Sequence, residues 1–132
     1  MITLSIRQYQ YVRRMAADFD IGSARRPNVL LDKLDRVLEQ NFASRDFDLP
    51  TMAEEMGISE RQLQRKLKVL TGYTPSAYVR SYRLNQSLDH LKSGESVRQS
   101  AKAVGFSSQA YFASCFKVEF GTTPSKYRQR SS

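Results

Sequence analysis

The chain has 132 residues, 40% of them hydrophobic, and carries 21 Lys and Arg against 13 Asp and Glu for a net charge of +8. That length suits one compact domain with a modest core, and no apolar run approaches the ~18 residues of a membrane span. A single cysteine excludes an internal disulfide, a single histidine leaves a zinc site without partners, and no glycine-rich phosphate loop is present; no catalytic residue, cofactor or metal is expected.

Residues 1–28 read least clearly. Ile6, Tyr9, Val12, Ala16 and Phe19 fit one face of a basic amphipathic helix, but the preferred expectation is an N-terminal extension or linker ending in the polar stretch 22–27. The first residues hold no uninterrupted apolar stretch, which argues against a secretory signal. Asn28 is expected to cap a helix whose apolar face is Leu30, Leu31, Leu34, Val37, Leu38 and Phe42.

Residues 49–71 read as helix, tight turn, helix. Asp48 is the expected N-cap, and Pro50 falls in the first turn, where a missing N–H is tolerated. Leu49, Met52, Ala53 and Met56 recur at helical spacing, and Ala53 is small enough for the next helix to cross closely. Gly57 ends the helix, Ile58 plugs the gap, and Ser59 caps the second helix. Leu63, Leu67 and Leu70 bury that helix, while Gln62, Gln64, Arg65, Lys66 and Lys68 stay outside. This is the helix-turn-helix pattern.

A connecting helix over about 75–93 follows, starting at Thr74-Pro75, carrying Tyr78, Val79, Tyr82, Leu84, Leu88 and Leu91, and ending at Ser93-Gly94. Residues 96–120 repeat the first pattern: Val97, Ala101 and Val104 are buried, Gly105 breaks the helix, Phe106 plugs, Ser107 or Ser108 caps, and Phe112 and Phe116 bury the next helix. Thr123-Pro124 opens a last short helix with Tyr127. The fold class is therefore all-α, with about seven helices over residues 29–130 and no strand.

The repeat is internal and measurable. At a shift of 48, Leu49, Ala53, Met56, Gly57, Ile58 and Ser59 fall on Val97, Ala101, Val104, Gly105, Phe106 and Ser107. At a shift of 49, Leu63, Leu67, Lys68, Gly72, Thr74, Pro75 and Tyr78 fall on Phe112, Phe116, Lys117, Gly121, Thr123, Pro124 and Tyr127. Two copies of one supersecondary unit imply one domain with two equivalent working surfaces.

The run GFSSQAYFASCFKVEFGTTPSKYR, with its glycine-aromatic turn, Tyr-Phe, Phe-Lys, Phe-Gly and Thr-Pro-x-x-Tyr, resembles the signature of AraC-type (AraC/XylS) transcription regulators. RQLQRKLKVLTGYTPSAYVRSYRLNQSLDHL resembles that family's first recognition helix and connecting helix. The resemblance extends over residues 30–128 and implies a DNA-binding domain that sets two recognition helices in successive major grooves, which recur every ~34 Å. It further implies a bacterial, cytoplasmic, nucleoid-associated regulator, commonly an activator that contacts RNA polymerase. Many members carry an upstream sensory or effector-binding domain; residues 1–28 leave no room for one, so the chain reads as a small single-domain regulator or a fragment.

The resemblance assigns base contacts to Arg61, Gln64 and Arg65, with Gln62 secondary. Arginine suits guanine O6/N7 and glutamine suits adenine N6/N7. The matching positions of the second unit hold Gln109, Ala110, Tyr111 and Ser114. Gln109 is the best reader there, Ala110 suits a thymine methyl, and Tyr111 reads as partly core. Ser114 departs from the arginine frequent in the family, which weakens the second helix as a reader. Ser59, Lys68, Arg80, Ser107, Lys117 and Arg128 are the expected phosphate contacts. Arg80 and Arg83 compete for structural salt bridges with Asp89 or Glu95. Cys115 reads as a packed residue and His90 as a solvated one.

The basic balance suits a polyanion, and Arg61, Arg65, Lys66 and Lys68 crowd one short helix. The expected function is sequence-specific binding of double-stranded DNA for transcription regulation. The alternative is a protein-interaction module docking on RNA polymerase or another regulator, binding DNA only weakly. Single-strand binding needs exposed aromatic platforms, and most aromatics here fall on buried stripes.

Overall fold

The computed structural model describes residues 25–131, with side-chain environments from residue 29 to residue 130. Among these residues there are seven helices and no strand: α1 Arg25–Asn41, α2 Leu49–Met56, α3 Glu60–Thr71, α4 Pro75–Lys92, α5 Val97–Ala103, α6 Gln109–Phe120 and α7 Pro124–Ser131. The all-α expectation and the long connecting helix are thus met. The amphipathic pattern of residues 6–19 lies outside the described residues. Helix α1 begins at Arg25, so Asn28 lies inside it rather than capping it. Pro27 falls in the first turn, whose N–H groups need no intrahelical acceptor, so it does not delay the start.

The helix starts follow local chemistry. Asp48 accepts a hydrogen bond from the Thr51 N–H at 3.0 Å. Hydrogen bonding from the Thr51 side chain, and then from this N–H, holds its carboxyl below the usual carboxylate range. Ser59 accepts from the Gln62 N–H while the Gln62 side chain accepts from the Ser59 N–H, both at 3.1 Å. Ser96 and Gln99 repeat that reciprocal cap on α5. Of the two serines before α6, Ser108 is the cap, accepting from the Tyr111 N–H.

Two cores form, one per repeat. Leu31, Leu34 and Leu38 of α1 pack with Met52, Ala53, Met56, Leu63 and Leu67, and with Tyr78, Val79 and Tyr82 of α4. The later part of α4 supplies Leu84, Leu88 and Leu91 to the second core, with Ala101, Val104, Phe106, Phe112 and Phe116. The connecting helix changes allegiance partway along, and it carries residues around its whole circumference into the two cores. Phe42, at the end of α1, packs against both clusters and meets the Tyr82 ring edge-on at 5.5 Å.

A polar brace fixes the same junction. Arg83 of α4 donates from Nε to the Phe42 carbonyl at 2.7 Å and from Nη2 to the Ser44 carbonyl at 2.8 Å. Burial lowers its guanidinium pKa. The turn of the second unit presses on the same loop: at Gly105 (φ +93°) an added Cβ would come within 2.7 Å of the Phe42 carbonyl oxygen. The salt bridges expected of Arg83 give way to these loop carbonyls, of which Ser44 also accepts from the Phe47 N–H at 3.3 Å.

Candidate nucleic-acid interface

The exposed surface of α3 is built by its periodicity. Leu63 and Leu67 are fully buried, so residues a half-turn away point outward. Arg61, Arg65 and Lys68 follow at spacings of four and three and share that outer face. All three are exposed, as are Gln62, Gln64 and Lys66. Glu60 is the only acidic side chain on this helix and sits in its first turn.

Helix α6 has the same geometry with different chemistry. Phe112 and Phe116 are buried, and Gln109, Ala110, Ser114 and Lys117 are exposed. Its outer stripe of Ala110, Ser114 and Val118 carries no charge. Tyr111 is half exposed, and its ring leans on Phe106 at 5.9 Å, which agrees with a partly packed residue. Cys115 is half-buried against the second core, as expected of a packed residue.

Several expected contact residues have other commitments. The Gln62 side-chain amide oxygen accepts from the Ser59 N–H in the cap of its own helix. Lys68 donates to the Gly72 carbonyl at 3.0 Å while remaining exposed. The Nε and Nη2 of Arg128 donate to the carbonyls of Glu95 at 2.8 Å and Gly94 at 2.7 Å, tying α7 to the loop after α4. Two donors of this expected phosphate contact are thus engaged within the fold. His90 is not a free solvated side chain either; its Nδ1 pairs with the Glu95 carboxylate, so Glu95 serves neither Arg80 nor Arg83. Arg80 is half-buried on α4 and makes no hydrogen bond or ion pair among the described residues. Ser59 and Ser107 are exposed at the turns that precede α3 and α6.

Sequence reasoning passed over one pair. Val69 and Val118 are 80% and 88% exposed and coincide at the repeat shift of 49. Each continues the outward stripe of its helix, beside Lys68 and Lys117. The shift itself was the available signal: the same apolar residue recurs where the buried pattern puts it in solvent.

Among the described residues, no three His, Cys, Asp or Glu side chains come together in a way that holds a metal, and no helix is long and apolar enough to cross a membrane. Two helix-turn-helix units held about one connecting helix, each offering the outer face of its second helix, define a bipartite helix-turn-helix domain. The chain belongs to the AraC-type helix-turn-helix family: the family's model, described as a helix-turn-helix domain, matches residues 52–130. It is 37% identical over 94 residues to the HTH-type transcriptional activator RhaS of Mannheimia succiniciproducens, covering 70% of this chain and 35% of that protein. It is 36% identical over 106 residues to the probable transcription factor PqrA of Proteus vulgaris, covering 80% and 87% of the two. Among solved structures, an AraC-type transcriptional regulator from Chromobacterium violaceum matches with a TM-score of 0.73 at 30% identity, covering 80% of this chain and 94% of that one. The DNA-binding domain of AdpA, solved in complex with a target DNA, matches with a TM-score of 0.68 at 26% identity, covering 76% and 90%. The chain spans only a small part of some relatives, down to 8% of histidine kinase P4 of Formosa agariphila.

Proposed function

We propose that this chain is a sequence-specific, double-stranded DNA-binding regulator of transcription that sets α3 and α6 into successive major grooves on one face of the duplex. The observation that carries this reading is the exposed basic face of α3, where Arg61 and Arg65 stand opposite fully buried leucines within a family-typical double unit. Arg65 and Arg61 suit guanine, and Gln64 suits adenine. On α6, Gln109 is the polar reader, while Ala110 and Val118 offer the apolar surface that meets a thymine methyl. Ser59, Lys68, Ser107 and Lys117 flank these faces as phosphate contacts. They position the chain without reading sequence. Arg80 joins them, whereas two donors of Arg128 are engaged within the fold.

Activation through RNA polymerase, a cytoplasmic location on the nucleoid, and control by a sensory domain accompany this reading as proposals from the family. In-vitro selection from a random duplex pool tests it. Enrichment of one bipartite motif about two turns long supports it. Enrichment of no motif turns the reading to a protein-interaction module.

A further inference from the structure

The two recognition helices are separated by a cleft floored by the first half of α4. Gln64 of α3 lines one end, and Ser107 and Tyr111 line the other. Ser76 and Arg83 line both parts, so the two hollows adjoin on α4. The part nearer α6 carries Arg45, Arg80 and Arg83 and no acidic residue. The acidic residue in the other part, Asp48, is held as the cap of α2.

The three arginines are not equivalent. The guanidinium of Arg83 is bonded to the Phe42 and Ser44 carbonyls. That grip fixes the loop carrying Arg45, one residue further on, against α4. Arg45 and Arg80 make no hydrogen bond or ion pair among the described residues, so their donors remain unspent beside a third positive charge. Three like charges around one cleft repel each other, and an anion placed between them removes that cost. Tyr111, held by Phe106 and 52% exposed, stands at the mouth with a hydroxyl donor.

A duplex engaging α3 and α6 together must carry a stretch of its backbone across the space between them. We infer that Arg45 and Arg80, with Tyr111 at the mouth, clamp the phosphodiester backbone between the two half-sites. This inference rests on the proposed DNA reading and adds a third contact region to it. The clamp reads no bases. It sets the register of the two helices on the duplex.

The test uses the full chain and the duplex obtained by selection. Neutral methylphosphonate linkages are placed at the phosphates between the half-sites, and separately at phosphates outside them. The wild-type chain is expected to lose about tenfold in affinity from the central replacements. The Arg45→Ala/Arg80→Ala chain is expected to bind more weakly, to show a salt slope smaller by about 1.8, at about 0.9 per phosphate, and to be indifferent to the central replacements. Its enriched base motif should be that of the wild type. A circular-dichroism melt confirms that the variant is folded, and Arg45→Lys/Arg80→Lys, which keeps the charges, should recover most of the affinity and the slope. Free inorganic phosphate competes at millimolar concentration only if the cleft serves a small phosphorylated ligand, and such competition without a central methylphosphonate effect overturns the inference. So does a wild-type chain insensitive to the central replacements, or a double variant that still responds to them. Those outcomes leave the two-groove reading intact if the bipartite motif is still enriched; absence of any motif removes both.

Discussion

The Phe42 carbonyl, which accepts from Arg83 Nε at 2.7 Å, is also the atom that a Cβ on Gly105 would strike at 2.7 Å. One oxygen therefore sits between the connecting helix and the turn of the second unit. Arg83→Ala removes two charge-assisted hydrogen bonds and should cost about 1.5–3 kcal/mol in denaturant or thermal melts. Gly105→Ala and Gly94→Ala form a matched pair, since the two glycines have φ of +93° and +94°. Gly94 has nothing within 4 Å of an added Cβ, so its substitution should cost only the backbone strain, roughly 1–3 kcal/mol. Gly105→Ala should cost at least about 1 kcal/mol more, because its Cβ meets backbone that cannot move aside. Equal losses at the two positions would mean that the turn of the second unit does not press on the Phe42 loop.

Ala53 and Ala101 are 3% and 2% exposed at the helix crossings of their units. Leucine at either site overpacks the crossing and should lower stability by about 1–3 kcal/mol. The two losses should be similar, since the sites are repeat-equivalent. A melt in which only one variant responds would separate the two units in packing.

Salt titrations of a bound duplex report the number of phosphates neutralised. Six to eight contacts correspond to a slope of log K against log salt of roughly −5 to −7. A flat dependence contradicts groove binding altogether.

On α3, Arg65→Ala should cost about 1–3 kcal/mol on the selected site and relax preference at one base pair. Lys68→Ala should weaken all duplexes about equally, since a phosphate carries no sequence information. Binding to a panel of single-base variants distinguishes the two patterns. Base-selective losses from Lys68→Ala would reassign it as a reader.

Gln109→Ala should be milder than Arg65→Ala, because α6 presents an uncharged stripe and contributes mainly position. Ser114→Arg places a fork on that stripe and should tighten binding to every duplex at least modestly. Equal, equally base-selective losses from Gln109→Ala and Arg65→Ala would contradict the asymmetry of the two helices.

The helices were legible because their signals are local. Caps at Asp48, Ser59 and Thr74 and the leucine and phenylalanine stripes each act within a few residues, and the repeat doubled every signal. Arginine roles were not legible. Arg83 bonds carbonyls 41 and 39 residues away, and Arg128 bonds carbonyls 33 and 34 residues away. Charge alone does not tell a guanidinium that ties loops from one that faces solvent. His90 and Glu95 are five apart, but the chain leaves α4 between them, so helical spacing does not pair them and His90 reads as solvated. Arg45 escaped notice because a loop has no period. Only the folded cleft places it beside Arg80. The start of α1 differs from the expected Asn28 cap because the polar residues before it, Pro27 included, fit a first helical turn.

The shared ring of Phe42 and the grip of Arg83 join the two units at one junction. The chain is therefore expected to act as a gauge of fixed span. On DNA of about 10.5 base pairs per turn, five base pairs inserted between the half-sites carry the second groove to the far side of the duplex, and a full added turn carries it out of reach. A domain joined by a flexible tether would forgive the second change; this one is expected to forgive neither.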